Sequence, residues 1–268
     1  MVRSGHEDSH GGGVRTATRR RLLKTALTGT ALGTALTLAA GAPLTAADAA
    51  VSPAGCNDNK QDILDAILLA ERVATTFYYT GLTTHAIVTP TATTPSSNGG
   101  RNGSLKHLAY VQQALAEEQQ HAGLWQGAGA TTPYGAFYFP AATFTRLGYT
   151  SQNGVFLSVL DYIETVLIGA YLAAIGRLGS LGHIDLAVMA VQILQTECTH
   201  RVLGRAIAGD HPADNVTLEV TAVACVGDAV AALQPFVDGR SFQGGATASI
   251  PLPSAAQVAQ VVRRVNAP

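Results

Sequence analysis

Glu118 and His121 stand three positions apart, and so do Glu197 and His200. Each Glu-x-x-His pair lies in an apolar segment whose hydrophobic residues recur with the spacing of one helical face. Each is preceded along the chain by another such segment with one glutamate on its apolar stripe, Glu71 and Glu164. Residues i and i+3 share a side of a helix, so a carboxylate and an imidazole at that spacing can grip one ion together. A carboxylate can also bridge two ions, and a neutral imidazole supplies a nitrogen donor. Buried charges need partners. Six such groups from four helices can hold two metal ions in a bundle core and leave coordination positions open for a small reactant.

Chance accounts poorly for this pattern. Residues 50–268 contain six Glu and six His, from which about 0.2 Glu-x-x-His pairs would arise at random. Two are present, and four of the six glutamates sit in the middle of apolar stripes. The other two, Glu117 and Glu219, need no metal to explain them.

The elements that must position these groups are legible from the same periodicity. A first helix is expected from about Asp58 to Gly81, with Leu64, Ile67, Leu68, Glu71, Ala74, Thr75 and Tyr78 on one face. Thr83 to Gly103 is a polar linker rich in Thr, Ser, Pro, Asn and Gly. Ser104 suits the N-cap of a second helix reaching about Gln126, whose inner face carries Val111, Leu115, Glu118, His121 and Trp125. Residues 127–151 form a long connection with Gly, Pro and a run of aromatics. That composition suits an ordered cover packed over one bundle end, and its length lets the second helix pair lie antiparallel to the first. The third helix spans about Gly154 to Gly179, with Leu160, Asp161, Glu164, Leu167 and Tyr171 aligned. The fourth starts near His183 or Asp185 and reaches about Ala208. A fifth helix over Asn215 to Val237 and a short terminal one capped by Ser254 follow. The expectation is an all-α fold: a four-helix bundle with a long crossover between helices 2 and 3 and a C-terminal helical extension. The corresponding units are 1–49, 50–210 and 211–268, with the last packed on the bundle.

Residues 1–49 read as an export signal. Thr18-Arg19-Arg20-Arg21-Leu22-Leu23-Lys24 precedes an uncharged stretch from Thr25 to about Thr45, and Ala47-Asp48-Ala49 suits a signal peptidase. The paired arginines and their neighbours resemble the signal of the twin-arginine route, which delivers folded proteins outside the cytoplasm. The uncharged stretch is diluted by Thr and Gly, and a membrane span needs about 20 strongly apolar residues, so no stable insertion is expected once the signal is removed. Residues 50–268 hold 11 Lys and Arg against 15 Asp and Glu, a net charge of about −4. That balance speaks against nucleic acid as a partner. Cys56, Cys198 and Cys225 have no C-x-x-C spacing, which makes a zinc cage a poor reading. An exported location permits one disulfide, Cys56–Cys225 first among the pairings, or three reduced thiols buried as small apolar residues.

With these residues in view, the chain resembles the ferritin-like superfamily of di-iron carboxylate proteins. More narrowly, it resembles exported ferritin-like proteins that include desiccation-related ones. The likeness covers about Asp58 to Gly209. It rests on Asp62-Ile-Leu-Asp-Ala-Ile-Leu-Leu-Ala-Glu71, on Thr75-Thr-Phe-Tyr-Tyr79, on the aromatic crossover, and on Glu164 with Gly169-Ala-Tyr171. The resemblance implies Glu71 with His121 on one ion, Glu164 with His200 on the other, and Glu118 and Glu197 bridging. Two iron ions are the implied cofactor, with two manganese ions as the alternative. O2 or peroxide is the implied small-molecule partner, and a homo-oligomer is compatible with the sequence. Stress protection and a manganese catalase-like activity are competing outcomes, as is a cell-envelope protein whose metal is mainly structural. Asp161 could orient a ligand histidine, and Tyr78, Tyr110 and Tyr171 could serve in electron transfer, but for each the first reading is a packed core residue with a satisfied polar tip.

Overall fold

The computed structural model describes residues 56–84, 101–144, 155–208, 213–214, 223–240 and 246–263, without the side chains of 101–107, 208 and 263. The export signal, residues 85–100 of the polar linker and the first part of the expected fifth helix lie outside this set.

The first helix, α1 (Lys60–Thr83), begins where Asn59 accepts hydrogen bonds from the backbone N–H groups of Gln61 and Asp62. Asp62 returns the favour by accepting the Asn59 N–H, which completes a capping box. The second helix, α2 (Arg101–Gly127), starts three residues before the expected Ser104 cap, so Ser104 lies inside it. Helices α3 (Val155–Ser180) and α4 (Ile184–Ala208) form the second hairpin, turned tightly at Gly182 with φ +82°. Helix α5 (Val226–Asp238) packs on α1 and α3, and α6 (Ala255–Arg263) packs on α2.

The apolar core has two layers. One gathers Val73, Phe77, Val111, Leu115, Phe156, Leu160, Leu167 and Phe236. The other gathers Ile63, Ile67, Trp125, Tyr171, Leu178, Ala190 and Ile193. Helix α1 runs from the second layer to the first, whereas α2 and α3 both run from the first to the second. The stretch between α2 and α3 must therefore travel the length of the bundle, as its length led us to expect. Within it, strand β1 (Ala136–Pro140) pairs antiparallel with β2 (Thr247–Pro251), in the register Ala136↔Pro251 to Pro140↔Thr247.

That two-stranded ribbon is absent from the all-helical expectation. Its short partner strand has only five residues, too few for alternation to declare it. Phe137 and Phe139 are fully buried. Phe139 lies 5.6 Å from Phe77 and 5.4 Å from Phe236, ring centre to ring centre. The aromatic cover is thus solid core over one bundle end. Gly239 ends α5 in a left-handed conformation, and a Cβ there would come within 3.1 Å of the Tyr138 ring. Cys56 and Cys225 form a disulfide with Cα atoms 5.4 Å apart, tying the start of α1 to the start of α5. Cys198 keeps its thiol on a half-buried position of α4.

Helix α3 is apolar and long enough to cross a membrane by length and composition. In this fold it is a central helix of the bundle, with two-thirds of its most apolar window buried.

Candidate metal centre

The polar groups lie in a belt between the two apolar layers. Glu71, Glu118, Glu164 and Glu197 have no solvent exposure, and His121 and His200 are buried with them. The structure brings all six residues together. Glu71, Glu118, His121 and Glu197 form one group whose candidate ligand atoms lie within 4.8 Å of one another, and Glu118, Glu164, Glu197 and His200 form a second. Glu118 and Glu197 belong to both.

The contacts inside the belt differ from an ordinary ion-pair network. His121 Nδ1 is 2.8 Å from Glu197 Oε1 and 3.6 Å from Glu71 Oε2. Despite the first distance, neither His121 Nδ1 nor Glu197 Oε1 has a partner in hydrogen-bond geometry. A hydrogen bond needs its proton in line, so the short distance alone does not make one. Neighbouring donors around one octahedral ion, each about 2.1 Å from it, stand about 3.0 Å apart. The belt has that spacing. Glu71 Oε2, Glu118 Oε2, Glu164 Oε2 and both oxygens of Glu197 are also buried without hydrogen-bond partners. Orphaned carboxylate oxygens are costly in a core; divalent cations among them would satisfy every one. The donor set therefore fits two metal ions.

The other oxygens of Glu71 and Glu164 are each held by a tyrosine from the opposite hairpin. Tyr171 on α3 donates to Glu71 Oε1 on α1, and Tyr78 on α1 donates to Glu164 Oε1 on α3. Both tyrosines follow their own helix's glutamate by seven residues, so the two hairpins exchange the same contact. Trp125 Nε1 donates in turn to the Tyr171 hydroxyl at 2.7 Å. His200 is held from outside by Glu117, whose Oε2 lies 2.8 Å from Nε2, while Nδ1 faces Glu118 Oε1 at 2.9 Å. That outward hydrogen bond selects Nδ1 as the inward donor atom.

Glu117 is the residue that sequence reasoning missed. Its position beside Glu118 was the available signal, because neighbours on a helix face directions about 100° apart and Glu117 therefore falls at the edge of the inner face. Asp161 does not orient a histidine. Its carboxylate instead pairs with Arg205 of α4 at 2.8 Å, one turn further along the hairpin. Tyr110 is half exposed and makes no part of the belt.

Electrostatics follows from burial and crowding. Burial, with the charges of Glu197 and Glu71, pushes the Glu118 carboxyl well above the usual range. Burial and Glu197 likewise raise Glu71. Burial raises Glu164 to about 8, against the pull of His200. Glu197 goes the other way: burial opposes its ionisation, but the two imidazoles of His121 and His200 beside it outweigh that and hold the carboxyl at about 2. His121 rises to about 10 because Glu197 and Glu71 overcome the effect of its burial. Burial and the adjacent carboxylates raise Tyr78 and Tyr171 well above 10, so both remain phenols that donate. Glu117 is lowered by its hydrogen bond with His200.

An antiparallel helical bundle with a buried belt of four glutamates and two histidines defines a class of metal-carboxylate proteins. The ferritin-like domain family model matches residues 59–210, more than half of the 268, and the chain belongs to that family. No curated protein and no solved structure matches it.

Proposed function

We propose that this chain is an exported protein with a dinuclear metal centre, iron before manganese, that reacts with O2 or peroxide in protection against oxidative or desiccation stress. The observation that carries the reading is the set of five orphaned carboxylate oxygens facing two imidazole nitrogens in a buried belt. Glu71 and His121 would hold one ion, Glu164 and His200 the other, and Glu118 and Glu197 would bridge. Two bound iron ions would supply electrons, one at a time or in pairs, to a small oxidant in the open positions.

The chain's own residues prepare that chemistry. Tyr78 and Tyr171 each occupy one oxygen of a terminal glutamate and leave the other aimed into the belt. Glu117 takes the Nε2 proton of His200 as a hydrogen-bond acceptor and so keeps the Nδ1 lone pair turned inward. The two apolar layers exclude water above and below, which strengthens every charge interaction between them. Export in the folded state, which the paired arginines support, would allow loading in the cytoplasm before the protein meets competing ions.

Purified protein loaded anaerobically with Fe(II) and then exposed to O2 or hydrogen peroxide tests the reading. Oxidation of the bound Fe(II) faster than in buffer is expected. Rapid oxygen release from peroxide by a manganese-loaded form would select the catalase alternative, and metal uptake without reaction toward either oxidant would leave a structural centre.

A further inference from the structure

Helix α4 carries a second apolar stripe that the bundle does not use. Its inner side turns Ala190, Ile193, Glu197 and His200 into the core and the belt. On the opposite side, Ile184, Val188, Val191, Gln195, Cys198 and Val202 follow one another in alternating steps of four and three residues. That is the spacing of the seam one helix presents to another in a coiled coil, here about 27 Å long. Ile184, Val188 and Val191 are 58%, 52% and 50% exposed. The patch widens at one end: exposed Leu181 precedes the seam, and exposed Leu124 lies two turns beyond Glu117, on the edge of α2 that meets α4. Val and Ile are only middling helix formers, so an outer helix face offers no local reason to choose them. Single apolar side chains on a surface are ordinary, whereas a contiguous stripe marks a contact site.

Charge narrows the partner. From Leu186 to Gly204 the only acidic or basic side chains of α4 are Glu197, His200 and Arg201, and all three are buried. Every exposed position in that stretch is neutral. A face that meets its own copy across a two-fold axis sets each side chain against the same surface, so a charge at its centre would face a like charge. This face has none. Gln195, the polar residue within the seam, has an amide that both donates and accepts, so it can pair with its own copy. A lipid surface would draw on Lys or Arg beside the stripe. The flanking charges are instead Asp185 before it and Arg205 after it, the latter paired with Asp161. We propose that the outer face of α4 is the dimer interface of this protein, two copies packing α4 against α4 about a two-fold axis between Val191 and Gln195. The ligands of the belt point the other way on the same helix, so the interface stands independently of what the belt binds.

Sedimentation equilibrium of the purified chain, from about 1 to about 100 µM, tests this. The native chain is expected at the mass of a dimer. Val188→Glu with Val191→Glu, and separately Val188→Lys with Val191→Lys, should each weaken the dimer by at least roughly a hundredfold. Both signs of charge should act alike, because each copy then meets its own charge; a general effect of net charge would separate them. Ala231→Glu, at an exposed position of α5, should leave the dimer intact. The substituted valines are half exposed, so both pairs should keep the native circular dichroism, and either pair suffices should the other fail to fold. A native chain that stays monomeric over this range overturns the proposal, as does a dimer that a folded variant pair retains. A monomer that floats with vesicles of phosphatidylcholine and phosphatidylglycerol, and ceases to do so with the Glu pair, assigns the face to lipid and equally overturns the dimer.

Discussion

Glu197 and Glu118 are alike in sequence context, burial and membership of both ligand groups, yet their substitution should have unequal consequences in the metal-free protein. Glu197 is the ionised counter-charge of two histidines, with His121 Nδ1 at 2.8 Å and His200 Nδ1 at 3.4 Å. Holding its carboxyl at about 2, against an ordinary 4.5, corresponds to about 3 kcal/mol at about 1.4 kcal/mol per pH unit. Because its folded value is depressed, that stability is present above pH 4.5 and is lost as pH falls toward 2. At pH 7, Glu197→Gln should therefore destabilise the metal-free chain by about 3 kcal/mol. Glu118 is raised instead, chiefly by burial, so its charge is disfavoured where that of Glu197 is favoured. Glu118→Gln removes a charge that burial already disfavours, keeps the shape of the side chain, and should change stability by less than about 1 kcal/mol. Urea denaturation at pH 7 with a chelator measures both values. Repeating it with Fe(II) under anaerobic conditions should show the metal-induced gain disappearing in both variants, since each carboxylate serves both ions. Equal destabilisation of the two metal-free variants would refute this ordering of charges.

Other consequences concern pH, the outer contact of His200 and the disulfide. Glu164, raised to about 8, contributes stability that is full below 4.5 and lost as pH rises through 8; His121, raised to about 10, loses its contribution between 6.5 and 10. The metal-free chain should therefore weaken from about pH 5 to pH 10, whereas the metal-induced gain should grow over that range because ligands bind deprotonated; urea midpoints at pH 5, 7 and 9 with and without metal check both slopes. Glu117→Ala should leave two metal sites but weaken metal binding about tenfold or more by freeing the His200 ring, as read by competitive chelator titration. Reducing the Cys56–Cys225 bond, which spans a sequence separation of 169, should cost up to about 5 kcal/mol on the chain-entropy account, visible as a lower unfolding temperature in dithiothreitol.

Much of the centre was legible because metal chemistry imposes spacing. Two Glu-x-x-His pairs on apolar stripes demand an inward direction, and Glu71 and Glu164 stood where only an apolar residue would otherwise sit. The boundaries of the four bundle helices fell within a few residues for the same reason, with the largest slip at Ser104, where a good cap residue lies within a helix that starts earlier. The fifth helix, expected from Asn215, begins only at Val226, since residues 223–225 are not helical. What periodicity does not carry is contact between elements. The exchange of Tyr78 and Tyr171 between hairpins was written as Glu-x6-Tyr twice, but a residue two turns away reveals nothing about which helix it will meet. Glu117 sits at the edge of the stripe by helical phase, and its partner His200 comes from α4, which that phase does not reveal. Asp161 followed the stripe yet found Arg205, since a cation within reach is a stronger partner than a neutral ring. The β1–β2 ribbon joins residues more than a hundred positions apart, and its strands are too short to announce themselves.

The count of metal ions per chain tests the central claim most directly. Native mass spectrometry with elemental analysis of protein loaded anaerobically with Fe(II) should find two ions per chain, and fewer than two in Glu118→Ala and in His200→Ala. A native chain that holds no metal, or an alanine variant that still holds two ions, would contradict the account.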